Sequence, residues 1–133
     1  MYSTNEIMKM LDWNQSEDVQ ANGRMLAKEI KFLNLFIQPY DPDSISGGKN
    51  LWDNCALILS EKNDEELKPY IPELLRWLQD LNHPGAECIK RRLTTFKDKE
   101  WLEYWLDEAI ETAKINDYQW LLSLNELKSN MLP

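Results

Sequence analysis

Glycine is scarce in this chain of 133 residues, at four, and chemically versatile side chains are scarcer still, with two cysteines and one histidine. Each shortage closes a class of function. Four glycines include no glycine-rich phosphate loop, and no nucleophile elbow or Cys/His pair of recognisable spacing appears, so catalytic residues are not expected. Two cysteines are too few for a disulfide scaffold, and Cys55 and Cys88 both fall on apolar helix faces, where a thiol behaves as a small hydrophobe; a reducing cytoplasm suits them. A histidine metal site would need His83 with one of these thiols and nearby carboxylates, whereas a lone histidine before a proline reads as a capping or packing residue. No metal and no cofactor is expected.

Long apolar runs are missing as well. About 18 consecutive uncharged apolar residues would be needed to cross a membrane, and none occur together. The opening MYSTNEIMKMLDWNQ lacks an apolar stretch behind a basic head, so neither export by that route nor membrane insertion is expected. Valine occurs once, while leucine, isoleucine and alanine dominate, which favours helix over pleated sheet. What is plentiful is acid and ring. The 23 acidic against 15 basic groups leave a formal charge of −8, which repels a phosphate backbone and favours a basic protein partner over nucleic acid. The excess is greatest over residues 97–133, where acidic groups outnumber basic ones two to one. Six tryptophans and five tyrosines must fill core layers or wait at a binding surface.

Along the chain, helices are predicted at about Thr4–Met10 and from Ser16, whose following Glu17 and Asp18 suit a helix start, to about Ile30. Lys31–Tyr40 has strand character but no partner strand, and Pro39 and Pro42 open a loop, so one extended connector at about 31–48 is expected to lie against the core. A central helix follows at about Lys49–Ser60, with Leu51, Trp52, Cys55, Ala56 and Leu59 at helical spacing and Leu57 and Ile58 widening the arc. Asn63–Glu66 is a capping box for a single turn that Pro69 stops. The helix from about Tyr70 carries Pro72 in its first turn and buries Ile71, Leu74, Leu75, Leu78 and Leu81, with Trp77 at the edge of that face. Asn82-His83-Pro84-Gly85 ends it and starts the next, which Asn82 or His83 can cap and which faces Ala86, Ile89 and Leu93 inward. Two longer helices, about Lys97–Ile115 and Tyr118–Asn130, meet at Asn116-Asp117. The expected fold is all-α: helical hairpins in a HEAT-like right-handed stack or a compact bundle.

Within this pattern Trp52-Asp53-Asn54-Cys55-Ala56, Asp64-Glu65-Glu66-Leu67-Lys68-Pro69 and the run Trp77 to Ala86 resemble the bacterial domain-of-unknown-function family numbered five thousand and seventy-one. The resemblance covers about a third of the chain. It implies a member of a bacterial family of unknown function with HEAT-like helices, toxin neutralisation being a suggested role, and supplies no catalytic residues. His83 stands where the family usually has tryptophan. One domain over 1–133 is expected, made of N-terminal helices and connector (1–47), a family-like core (48–96) and a C-terminal helical hairpin (97–133).

Among possible sites, the Glu103 and Asp107 carboxylates lack a visible apolar pocket to raise either pKa, and Lys90-Arg91-Arg92 sits near a helix end that favours cations. The sharpest lead is the helix from Lys97. Its period places Leu102, Trp105, Leu106, Ala109 and Ala113 on one face and Glu100, Glu103, Asp107 and Glu111 on the other, with Tyr104 inside the acidic face and Trp101 at its border. Rings give desolvated contact area and carboxylates give steering. The expectation is therefore a non-enzymatic protein-binding domain with Glu100, Trp101, Glu103, Tyr104, Asp107 and Glu111 as the partner surface, and, with the toxin neutralisation that the resemblance implies, an immunity protein capping a basic toxin. The alternatives are a small enzyme with its site between the 31–48 connector and the central helices, and a homo-oligomer subunit joined through exposed tryptophan faces; the oligomeric state stays open.

Overall fold

Capping chemistry sets the helix starts. Ser3 opens α1 (Thr4–Met10) through a reciprocal box: its hydroxyl accepts from the Glu6 N–H, and the Glu6 carboxylate accepts from the Ser3 N–H. The Ser16 hydroxyl accepts from the Val19 N–H to open α2 (Glu17–Ala27). This helix ends before the expected Ile30, because Lys28, Glu29 and Ile30 bond three residues back and tighten into a turn.

The computed structural model describes residues 2–37 and 49–131. Where the connector was expected to start as extended chain, a 3-10 turn at Leu33–Phe36 seats Leu33, Phe36 and Ile37 in the core. A lone extended segment leaves its N–H and C=O groups unpaired, whereas this turn satisfies them locally, as in the Ile37 N–H donation to Asn34 at 3.2 Å. The rest of that expected connector, 38–48, lies outside the described residues.

A 3-10 turn at Lys49–Leu51 leads into α3 (Trp52–Ser60), which buries Cys55, Ala56, Ile58 and Leu59 while Leu57 reaches solvent. Burial pushes the Cys55 thiol up to about 12, so it is inert filling. Asn54 is buried too. Its amide donates to the Leu11 carbonyl at 2.7 Å and to the Gln20 side chain at 2.9 Å, and its oxygen accepts from Arg24, tying α1 and α2 to α3.

The single turn expected after Asn63 is present as α4 (Asp64–Leu67), with both bonds of its capping box formed. α5 (Ile71–Arg76) carries Pro72 in its first turn and continues as a 3-10 turn, Trp77–Gln79. That tightening corrects the expectation for Trp77. The ring is wholly buried instead of lying at the edge, and Leu81 is only partly covered. The next start also differs from expectation: neither Asn82 nor His83 caps α6 (Ala86–Thr94), because Asp80 binds the Asn82 N–H at 2.8 Å and Gly85 takes the cap position at φ 82°. A β-carbon on Gly85 would stand 2.7 Å from that of Ala56, so glycine is what lets α6 approach α3. Ala86, Ile89 and Leu93 are buried as their spacing predicts.

α7 (Lys99–Asn116) and α8 (Tyr118–Met131) form the closing hairpin, with the Asp117 carboxylate accepting from the Trp120 N–H. The Trp120 indole donates to the Leu75 carbonyl at 2.9 Å and ties the hairpin to α5. α1 packs on α2 and α7 on α8, while α3 packs on α6, α5 on α7 and α6 on α8, so one hydrophobic cluster runs from Ile7 to Leu127. The architecture is all-α, and no strand occurs among the described residues. Hairpins form; the HEAT-like stacking expected beside them is not established by this packing. No helix among the described residues is long and apolar enough to cross a membrane.

Candidate functional site

The α7 helix begins where the Asp98 carboxylate accepts from the Trp101 N–H at 3.1 Å, and this bond, with Lys68 beside it, holds the Asp98 carboxyl below its ordinary range. The inner stripe is Leu102, Leu106, Ile110 and Ala113. Relative to the expected inward face, Ile110 is the buried residue, and Trp105 and Ala109 stand at its margin. The helix is covered on two sides, by α5 and α8, which turns its buried arc toward Ile110.

Every expected acidic residue of the outer face, Glu100, Glu103, Asp107 and Glu111, is exposed. Tyr104 stands among them 57% exposed. It is held from beneath: its ring meets Trp105 edge-on, with centroids 5.0 Å apart, and Trp105 meets Trp101 at 6.1 Å. Trp101 is half-buried, its indole donating to the Lys68 carbonyl at 3.0 Å with the Lys68 ammonium 4.9 Å over its ring. The expected site residues thus divide. Trp101 is an anchor within the fold, and Tyr104 is an accessible ring on a rigid aromatic base.

Two bases touch the acidic face. Lys128 donates to Asp107 at 2.7 Å, a bond that raises the lysine pKa against the opposing effect of burial, with Glu103 adding to it. Lys114 pairs with Glu111 at 2.8 Å. Both pairs are exposed, where such contacts hold weakly and exchange readily with a competing cation.

Elsewhere the structure offers less chemistry. A groove of about 490 Å³ between α1 and the turn at residues 49–51 is lined by Lys9, Asp12, Gln15 and Asn50. It adjoins the place of the enzyme alternative. The Asn14 N–H and the Asn50 amide hold the Asp12 carboxyl below its ordinary range, which keeps it ionised rather than poised as an acid. A second groove, about 360 Å³, runs beside Trp105 between Arg76 and Glu108, and the buried Trp105 indole N–H has no acceptor. His83 lies edge-on to Trp52 at 5.1 Å and 3.9 Å from Asp80, so its imidazole occupies an aromatic contact within the fold. Among the described residues no group of three or more His, Cys, Asp or Glu is placed to hold a metal ion. Sequence reasoning missed the Trp105 groove and the exposure of Ile115, Tyr118 and Leu122. For Ile115 the signal was available, since its helical phase sets it with Glu111 and not with Leu102.

Compared with known proteins, residues 49–132 match the model of the family described as Domain of unknown function (DUF5071). No curated protein and no solved structure matches the chain. The chain belongs to the DUF5071 family, and the match extends the resemblance of its central motifs through the whole C-terminal hairpin.

Proposed function

We propose that this DUF5071 member is a non-enzymatic binding domain that offers the outer face of α7 to a basic protein, and that it acts in the cytoplasm as an immunity protein neutralising a basic bacterial toxin. The observation that carries the reading is Tyr104, exposed, braced edge-on by Trp105 and set among Glu100, Glu103, Asp107 and Glu111. A flexible surface tyrosine would lose rotamer freedom on binding; one propped on a half-buried indole has lost part of it already. The carboxylates supply steering toward cations, in keeping with a chain of net charge −8, and the same charge opposes nucleic acid. The exposed α7 carboxylates suit recognition better than general acid–base catalysis, which is most efficient when burial or a neighbouring charge brings a carboxyl pKa near the working pH.

Affinity capture from the source bacterium, read by mass spectrometry, identifies the partner, and kinetics with that partner test the face. Glu103→Lys together with Asp107→Lys is expected to slow association roughly tenfold or more at low salt while leaving the helical circular dichroism intact. An unchanged association rate removes this face from consideration.

A further inference from the structure

Tyr104 is not alone on the outer face. Tyr104, Asp107, Glu111 and Ile115 follow one another at steps of three, four and four residues on α7, which sets them in a single row. The row is about 16 Å long at the rise of an α-helix. Its far end is the most exposed large apolar side chain described, Ile115 at 81%, and across the Asp117 break α8 opens with Tyr118 at 72% and, one turn on, Leu122 at 52%. The hairpin therefore presents an aromatic ring, then carboxylates, then an apolar corner. Apolar side chains left this open gain most when a partner covers them.

Resting on the reading of this face as a docking surface, we infer that the partner meets it with a basic amphipathic helix lying along α7. Such a helix sets an apolar side chain over Tyr104, Lys or Arg one and two turns on over Asp107 and Glu111, and a second apolar side chain, eleven positions from the first, over the corner of Ile115, Tyr118 and Leu122. Equal rise per residue keeps the two rows in step. Lys128 and Lys114 give way at small cost, since both contacts are exposed. A second copy of this chain suits the row poorly, because it would set Asp107 and Glu111 against like charges.

Three labelled synthetic peptides test this: one with the apolar, basic, basic, apolar pattern, one of the same composition with its apolar residues moved to the opposite helix face, and an oligolysine of equal charge. Fluorescence anisotropy at about 0.1 M salt, where charges still act over about 10 Å, reads binding to the intact chain. The patterned peptide is expected to bind at least tenfold tighter than either control, and Ile115→Ser with Leu122→Ser to erase that margin while circular dichroism stays unchanged. Equal binding of all three peptides, lost in the Glu103→Lys and Asp107→Lys variant, overturns the inference but leaves the docking face standing. Failure of the patterned peptide to bind overturns the inference, whatever the native partner then shows. A doubled mass in light scattering that Ile115→Ser with Leu122→Ser halves makes a second copy the occupant, and overturns both readings.

Discussion

The Trp77 indole N–H donates to the Pro84 carbonyl at 2.9 Å, so the largest fully buried side chain described also pins the turn that follows it. The chain between them, Asp80 to His83, closes on itself through the His83 N–H bond to Asp80, and Gly85 then enters the left-handed region directly above Ala56 and Trp52. Core, turn and helix start are one assembly.

Gly85→Ala strikes that assembly. The new β-carbon would meet the Ala56 β-carbon at 2.7 Å and the Trp52 carbonyl at 2.9 Å, in a backbone conformation that already costs a side chain about 1 kcal/mol. Urea unfolding is expected to show a loss of about 2 to 4 kcal/mol. A loss under about 1 kcal/mol would mean that α6 can slide away from α3 cheaply.

Acid should loosen the joint between α4 and the α6–α7 turn. Burial works to raise the Asp64 pKa, but the Lys97 N–H at 2.8 Å and the Arg92 guanidinium prevail and hold it below its ordinary 3.8. A carboxyl depressed in the folded state contributes stability above its unfolded pKa and loses it as pH falls through the folded value. The urea midpoint should thus decline as pH drops below about 4, and Asp64→Asn should lower the midpoint at neutral pH and make that decline shallower. Parallel curves for the two proteins would show that Asp64 is not among the groups responsible.

Stability should separate Trp101 and Tyr104, the two aromatic residues of the proposed binding face. Trp101→Ala removes a half-buried ring and its bond to the Lys68 carbonyl, and is expected to cost about 2 to 3 kcal/mol in urea unfolding. Tyr104→Ala, at an exposed position, should cost no more than about 0.5 kcal/mol while weakening partner binding. A large stability loss at Tyr104 would make it a fold residue and deprive the face of its anchor.

Much of the helical plan was legible because its signals are local. Ser16, Asn63 and Asp117, read from the sequence as starts, each accept a hydrogen bond from an N–H three residues on, a geometry that needs only the chain nearby, and Ser3 and Asp98 do the same without having been singled out. The acidic row of α7 was legible for the same reason, since helical phase alone sets Glu100, Glu103, Asp107 and Glu111 apart from Leu102 and Leu106. Trp77 and the segment from Lys31 were misread because a 3-10 turn changes the angular step of the side chains, and the cause of that tightening lies in distant neighbours. The bonding role of Asn54 was not legible: its partners Leu11, Gln20 and Arg24 are 30 to 43 residues away.

By itself, then, the sequence determined that the chain is helical, where most helices begin and which flank of α7 is acidic, since a cap or a periodic stripe acts within one or two turns and needs no distant neighbour. Only the tertiary structure decided that Trp101 anchors the fold while Tyr104 stays exposed, that Tyr118 and Leu122 stay uncovered, and that Gly85 packs closely against Ala56 and Trp52. Those outcomes depend on which surfaces remain for water once helices distant in sequence have packed against one another, and that remainder is a property of the whole assembly.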